Sequence, residues 1–426
     1  PGNIGDDFRV YTETDNGDKV RAYRNGDDWY RADGTPVNGP QEIEDIRTGL
    51  VFPKYQDPNA HQANYIKSED YNTDASFKDY EVQVNVMPRL AFSFPISEDA
   101  NFFAHYDILV QRPNSNTIAS ALDYFYFTER TGQVTFNNPA LRPERTVDYE
   151  VGFQQALSQT SAIKISAYYK EMRDMIQLRT FFPVPIVNSY TTYDNLDFGT
   201  VKAFSFAYDL RRTRNLQLNA NYTLQFADGT GSNTESTRGL NNRGNIRNLF
   251  PLDFDERHRI NLIADYRFGK DQGPRLAGAY IFANAGINLQ AIAVSGRPYT
   301  AKQVPDQELQ ASGTVGSING ARKPWNTTLN LRIDKNFQFG KGLGLNVYLR
   351  VSNLLDTRNI INVYQVTGSP EDDGFLRSQF GQNRIRLIES SARDLNAYLA
   401  SYQWRLLNSD FYSLPRRLFL GAIVNF

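Results

Sequence analysis

The 426 residues contain no cysteine, which excludes disulfides, thiolate chemistry and every cysteine-ligated metal. Tryptophan, methionine and histidine are scarce, at 3 each. His61, His105 and His258 stand alone in the sequence, without the clustered ligands that a metal or catalytic centre needs. An excess of charge of one sign is missing too. A net charge of -1 creates no global field toward nucleic acid or acidic lipid. Nucleophile elbow, phosphate loop and zincin signatures are all absent. The expectation is therefore no enzyme, no cofactor, no metal and no nucleic-acid partner. The most informative absence is that of long apolar runs. None approaches the roughly 18 residues of a membrane helix, which excludes a helical membrane protein. A membrane β-barrel stays open, because its strands show only alternate side chains to lipid. No secretory leader opens the sequence and Pro1 is not a natural start, so the chain reads as processed or as a fragment.

What the chain has is aromatic residues, Phe 28 and Tyr 25, set in alternation. "NNPALRPERTVDYEVGFQQ" (Asn137–Gln155) begins as a proline-punctuated loop. It then places Val147, Tyr149, Val151 and Phe153 on one side and Asp148, Glu150, Gly152 and Gln154 on the other. The pattern recurs in about eleven segments: 88–96, 100–111, 146–156, 161–178, 199–209, 215–227, 257–268, 283–296, 327–338, 342–356 and 415–426. Leu216, Leu218, Ala220, Tyr222, Leu224 and Phe226, for example, oppose Gln217, Asn219, Asn221, Thr223 and Gln225.

The connections carry more information than the strands. Alternate ones are tight turns of about three to five residues or a Gly/Pro-rich turn. The others, 112–145, 179–198, 228–256, 297–326 and 357–414, are long. Long and short connections thus segregate to opposite ends of an up-and-down meander. A soluble β-sandwich has no reason for that asymmetry, whereas an outer-membrane barrel has short periplasmic turns and long extracellular loops. The reading is all-β, a transmembrane β-barrel with its apolar face to lipid and its polar face to water. Residues 1–87, rich in Asp, Asn, Gly and Pro, read instead as short β-ribbons around "DNGD" (Asp15–Asp18) and "NGDD" (Asn25–Asp28), in an extracellular loop region. Neither turn matches a full calcium loop.

If the last strand ends at the periplasmic side, counting back places 1–87 outside the cell. An odd number of strands does not close a single-chain bacterial barrel. The expectation is that 88–426 form the C-terminal half of a barrel whose upstream half lies outside this sequence.

Four stretches resemble TonB-dependent outer-membrane receptors: the Asn137–Gln155 segment, "VSGRPYT" (Val294–Thr300), "NVYLRVSNLLDTRN" (Asn346–Asn359) and "PRRLFLGAIVNF" (Pro415–Phe426). "PRLAFSFPISEDANFFAHYDILVQRP" (Pro88–Pro113) is similar to the Oar-like members, which resemble SusC-like ones. The resemblance implies a barrel of about twenty-two strands, import of a substrate across the outer membrane, and Phe426 as a barrel-assembly signal. It implies as partners outer-membrane lipid, an N-terminal plug and barrel half, and the TonB machinery where the plug is present. A surface lipoprotein or other outer-membrane subunits would be partners if the barrel is instead a structural subunit that does not transport. A surface adhesin displayed on a barrel is a third reading. The plug and the TonB-contacting box are not in this sequence.

The short motifs also have structural explanations: proline and asparagine end a loop, and Gly296 and Pro298 turn the chain out of the membrane. The candidate site is the charged set expected on the lumen side: Asp148, Glu150, Arg259, Asp265, Arg267, Arg332, Asp334 and Arg350. One segment departs from β grammar. Ile388, Ala392, Leu395, Leu399, Tyr402 and Leu406 follow the spacing of a helix face, and Ser391 with Asp394 resembles a capping box. This predicts one helix over 390–407 in the last long loop. Its stripe would cover the 228–256 or 297–326 loop, as part of a lid, or a partner.

Overall fold

The computed structural model describes residues 8–12, 20–25, 28–43, 52–56, 63–64, 82–113, 135–181, 190–234, 236, 248–305, 313–339, 342–391 and 393–426. Its main feature is a meander of eleven antiparallel strands, each hydrogen-bonded to the next in sequence. They are β1 (Arg89–Pro95), β2 (Ala100–Gln111), β3 (Glu144–Ser158), β4 (Ser161–Phe181), β5 (Tyr190–Thr213) and β6 (Leu216–Gly229). The rest are β7 (His258–Arg267), β8 (Ala285–Val294), β9 (Asn326–Phe339), β10 (Leu343–Ser352) and β11 (Arg417–Asn425). Every predicted strand has its counterpart. Among the described residues β1 and β11 each have one neighbour.

Alternation and register together sort the side chains. One rung runs Ile287, Ile333, Leu349, Leu420 across four strands. The next rung, on the opposite face, runs Asp265, Asn288, Arg332, Arg350, Phe419. Apolar rungs hold Tyr149, Val151, Phe204, Ile260, Tyr266, Ile287, Ile333 and Leu420, all exposed. Tyr149 stands between Tyr106 and Tyr169, with ring centroids at 5.1 and 6.2 Å. A sheet this apolar on its uncovered face is not built for water.

β5 starts well before the expected 199–209, at Tyr190 in the stretch read as a connection, while β4 runs only slightly past the expected 161–178, to Phe181. The cause is a local break in periodicity. The register slips between Met172 and Met175 and again before Ile176, and Asp174 takes a positive φ of 57°. Beyond the bulge the two strands continue as a ribbon with Ile176, Leu178 and Thr192 buried. Thr135–Phe136 joins it in parallel, and the Leu178 amide donates to the Thr234 carbonyl at 3.0 Å.

The N-terminal region holds a separate six-stranded sheet of short strands, including Phe8–Thr12, Val20–Asn25 and Asp28–Arg31. Tyr11, Ala22, Trp29 and Ile43 form its small core, with Tyr11 stacked on Trp29 at 5.2 Å. All of "DNGD" and the centre of "NGDD" lie outside the described residues.

The single helix expected over 390–407 is two helices, α1 (Gln379–Ser390) and α2 (Leu395–Leu406). Ser391 ends the first as its C-cap, and Asp394 starts the second by accepting from the Ala397 amide. The stripe is therefore divided, with Ile388 on α1 and Leu395, Leu399, Tyr402 and Leu406 on α2; Ala392 lies outside the described residues. Tyr402 and Leu406 pack on Phe375, Tyr364 and Leu376 of their own loop rather than on the loops expected. No helix among the described residues is long and apolar enough to cross a membrane.

Candidate functional site

All eight charged residues expected on one side share the polar face of the sheet, opposite the exposed apolar rungs. Seven of them fall into three groups. Asp265, Arg267 and Asp334 form one network toward the short-turn end. Arg267 grips Asp334 with two bonds of 2.8 and 2.9 Å, and Arg212 reaches Asp265 at 2.5 Å. Asn288 and Asn346 donate to Asp265 and Asp334, each at 3.3 Å. Two-point contact fixes both planes, which is what a guanidinium does for a carboxylate.

Asp148 and Glu150 form the second group on β3. Lys170 lies 2.7 Å from Asp148, and His105 lies 3.4 Å and Lys164 3.8 Å from Glu150. The third group has no carboxylate: Arg332 and Arg350 stand directly opposite each other on β9 and β10. Arg259 belongs with none of these. It turns to Glu256 at 2.9 Å, beside Arg297 at 2.8 Å from the same carboxylate.

Lys164, Lys170, His105 and Arg212 were not singled out in the sequence; parity places the first three on the polar face, whereas Arg212 reaches it through the register shift between Leu210 and Thr213. Asp255 and Arg322 carried no such signal, because they meet only through folding. Asp255 is fully buried at the long-loop end, where its carboxylate accepts from the Ala227 amide at 3.1 Å. Arg322 donates to both its carbonyl, at 2.8 Å, and its carboxylate.

The motif residues fasten the same end. Glu144 accepts from the Ile176 amide at 3.0 Å, just past the β4 bulge. Asn195 there donates to the carbonyls of Arg142 and Asp174 at 2.9 and 2.7 Å. Gly296 is needed for contact: a Cβ there would sit 1.6 Å from the Lys323 carbonyl oxygen. Asn353, at a φ of 54°, donates to the carbonyls of Thr357 and Leu414 at 3.0 and 3.2 Å. It thereby joins the first and last turns of the final loop. Buried Asn359 brackets Thr327, accepting from its amide at 2.7 Å and donating to its carbonyl at 2.8 Å.

Two long loops meet over this end. The Lys302 amide donates to the Gln365 carbonyl at 3.1 Å, and Lys323 Nζ to the Ile361 carbonyl at 2.7 Å. Burial, with Arg297 nearby, pushes the Lys323 ammonium below its ordinary range. Between the loops lies a cleft of about 340 Å³ lined by Lys302, Tyr364, Asp373 and Phe411. Behind it, Tyr402 donates to buried Asp373 at 2.5 Å.

A one-sided apolar meander with a paired polar face and loops gathered at one end defines an outer-membrane β-barrel wall. Residues 4–354 match the family described as TonB dependent receptor-like, beta-barrel, and the chain belongs to that family. No curated protein matches it. Among solved structures it is similar to the outer membrane transporter YddB from Escherichia coli, at 15% identity and a TM-score of 0.46, over 65% of this chain and 38% of that one. It is also similar to a mutant of the ferric enterobactin receptor PfeA from Pseudomonas aeruginosa, at 12% identity and a TM-score of 0.45, over 80% and 40%. The chain thus spans well under half the length of these proteins.

Proposed function

We propose that these residues form the C-terminal barrel wall and outer loops of a receptor that imports a large nutrient across the outer membrane. Residues 88–426 would be the second half of the barrel and residues 1–87 part of an extracellular loop region. The observation that carries the reading is the division of the sheet: exposed apolar rungs on one face, ion pairs on the other, and long loops bonded together at one end. The apolar face meets lipid. The polar face, with Asp148, Glu150, Asp265, Arg267 and Asp334 already paired, lines an aqueous lumen that holds a plug or guides substrate. Further strands upstream would cover the open edges, and the plug and TonB machinery would move the substrate. The Oar-like or SusC-like type belongs to the same proposal, and Phe426 would serve assembly.

The test is a strain lacking the full gene, grown on a panel of iron chelates, oligosaccharides and oligopeptides as limiting nutrients. A growth defect that the wild-type gene restores, and that requires TonB, supports import. Normal growth on every nutrient counts against it.

A second reading, a structural subunit of an outer-membrane complex, is favoured by one feature. Phe380, Leu387, Trp404 and Leu407 on and beside the two helices are exposed, as a face for a surface lipoprotein or another subunit would be. Co-purification of a stoichiometric partner, lost in Trp404→Asp, together with normal growth on the panel supports that reading.

A further inference from the structure

The polar face is neutralised unevenly. Asp148 and Glu150 on β3, Asp265 on β7 and Asp334 on β9 all meet cations. On its last three strands the balance reverses. Arg332 on β9 and Arg350 on β10 occupy directly opposed positions in the register. Arg417, at the start of β11, lies on the same face, one rung further toward the long loops. None of the three has a carboxylate partner among the described residues. Opposed like charges across a strand pair are unfavourable, so this arrangement is not explained by the stability of the sheet.

Their support is aromatic. The Arg332 guanidinium sits 4.6 Å from the centre of the Tyr348 ring, and that of Arg350 sits 4.7 Å from the Phe419 ring. Arg417 approaches the Phe419 ring at 5.9 Å. Tyr348 has room because its neighbour is Gly421, where a Cβ would come within 2.4 Å of the ring. A ring face fixes a guanidinium and attracts it through the quadrupole but does not cancel its charge. The N–H groups stay available for a planar acceptor.

We infer that Arg332, Arg350 and Arg417, held on Tyr348 and Phe419, form an anion-binding step on the barrel wall that takes a small carboxylate-bearing solute. The occupant follows from charge complementarity: three unneutralised guanidiniums suit a ligand with more than one carboxylate. The patch lies at the long-loop half of the strands, beneath the loop that leaves at Ser352 and returns at Arg417. This inference rests on the reading of the polar face as an aqueous lumen, and names the class of solute that passes it.

The absence of cysteine from these residues allows a direct test in the intact receptor. Ser352→Cys places a thiol opposite Arg417 in the register. Its labelling rate is measured with an anionic sulfonatoethyl and a cationic trimethylammonioethyl methanethiosulfonate at low salt, with citrate as competitor. Heat-modifiable mobility on gels first confirms that each variant has folded. The expected result is a preference for the anionic reagent of about tenfold or more, the scale on which a focused field enriches a counter-ion. Citrate or high salt abolishes it, and so does adding Arg332→Gln with Arg350→Gln. Arg350→Gln alone gives an intermediate ratio if the double change fails to fold. Equal rates with the two reagents, or a preference that survives loss of the arginines, would overturn the inference while leaving the lumen intact. No labelling by either reagent would overturn the aqueous-lumen reading itself. A preference indifferent to citrate would mean that the arginines set up a field but hold no carboxylate-bearing solute, which also overturns it.

Discussion

Asp255 and Arg322, contributed by two different long loops, are joined at both the backbone carbonyl and the carboxylate of Asp255, whose side chain has no solvent exposure. The pair staples the 297–326 loop to the end of β6 and the start of β7. Removing the Asp255 carboxylate leaves the Ala227 amide without its acceptor and the partly buried Arg322 guanidinium without its counter-charge, held only by the backbone carbonyl. Asp255→Ala is expected to cost roughly 3 kcal/mol, the low end for breaking a buried pair, because Arg322 keeps some contact with solvent. Hydrogen exchange should rise in the 297–326 loop and stay unchanged in β3 to β5.

Gly296→Ala should act on the same loop by another route. The new Cβ meets backbone at 1.6 Å, and a carbonyl has no rotamer by which to withdraw. A cost of roughly 1–3 kcal/mol is expected, the range for overpacking, with faster proteolysis between Arg297 and Lys323. A variant as resistant as wild type would mean that the loop shifts without penalty.

The two faces of the sheet should differ sharply in tolerance. Leu262 lies mid-strand on β7, between Ala220 and Ala291, on the apolar face. Leu262→Arg should cost roughly 2–4 kcal/mol in a folding titration into bilayers. Leu218, on the same face but next to the β5–β6 turn, should tolerate arginine at about 0–1 kcal/mol, as expected near an interface. Asn261→Arg, on the polar face, should cost less than Leu262→Arg. Equal costs for Leu262 and Asn261 would mean that neither face meets lipid.

The α2 packing should be alkali-sensitive. Burial first, and then the hydrogen bond to Asp373, push the Tyr402 hydroxyl far above its ordinary range. A raised folded-state pKa means that the stabilisation is complete below the ordinary tyrosine value of about 10. It declines as pH rises from there through the folded value. Loss of α2 protection above about pH 10 is therefore expected. The decline should be shallower in Tyr402→Phe, with a remaining slope from Tyr364, whose hydroxyl burial also raises. At neutral pH, Tyr402→Phe should cost roughly 1–3 kcal/mol by stripping buried Asp373 of a donor.

The eleven strands were legible because alternation over nine or more residues leaves few other readings, and because loop lengths alternate with them. The early part of β5, Tyr190 to Phe198, was not, since the register shift opposite the Asp174 bulge breaks the period there. The α1–α2 pair shows a similar limit. An unbroken stripe from Ile388 to Leu406 reads as one helix, yet Ser391 and Asp394 are separate caps, and α1 has an amphipathic pattern of its own within a largely polar sequence. For the charged residues, parity correctly put all eight on one face. It could not tell that Arg259 turns to Glu256 while Arg332 and Arg350 face each other. Those outcomes depend on register between strands, which no single strand encodes.

Asn353 has a further consequence. Because one side chain holds both the departing Thr357 and the returning Leu414, the final loop leaves and rejoins the wall through a doorway of fixed width. Closing such a loop costs only slowly more as it lengthens, so the wall is indifferent to what hangs between the posts. That loop, helices included, is a cassette: exchange of 366–410 for an unrelated ordered segment, which keeps Asn359 on Thr327, should leave the sheet folded while replacing the surface that the loop presents.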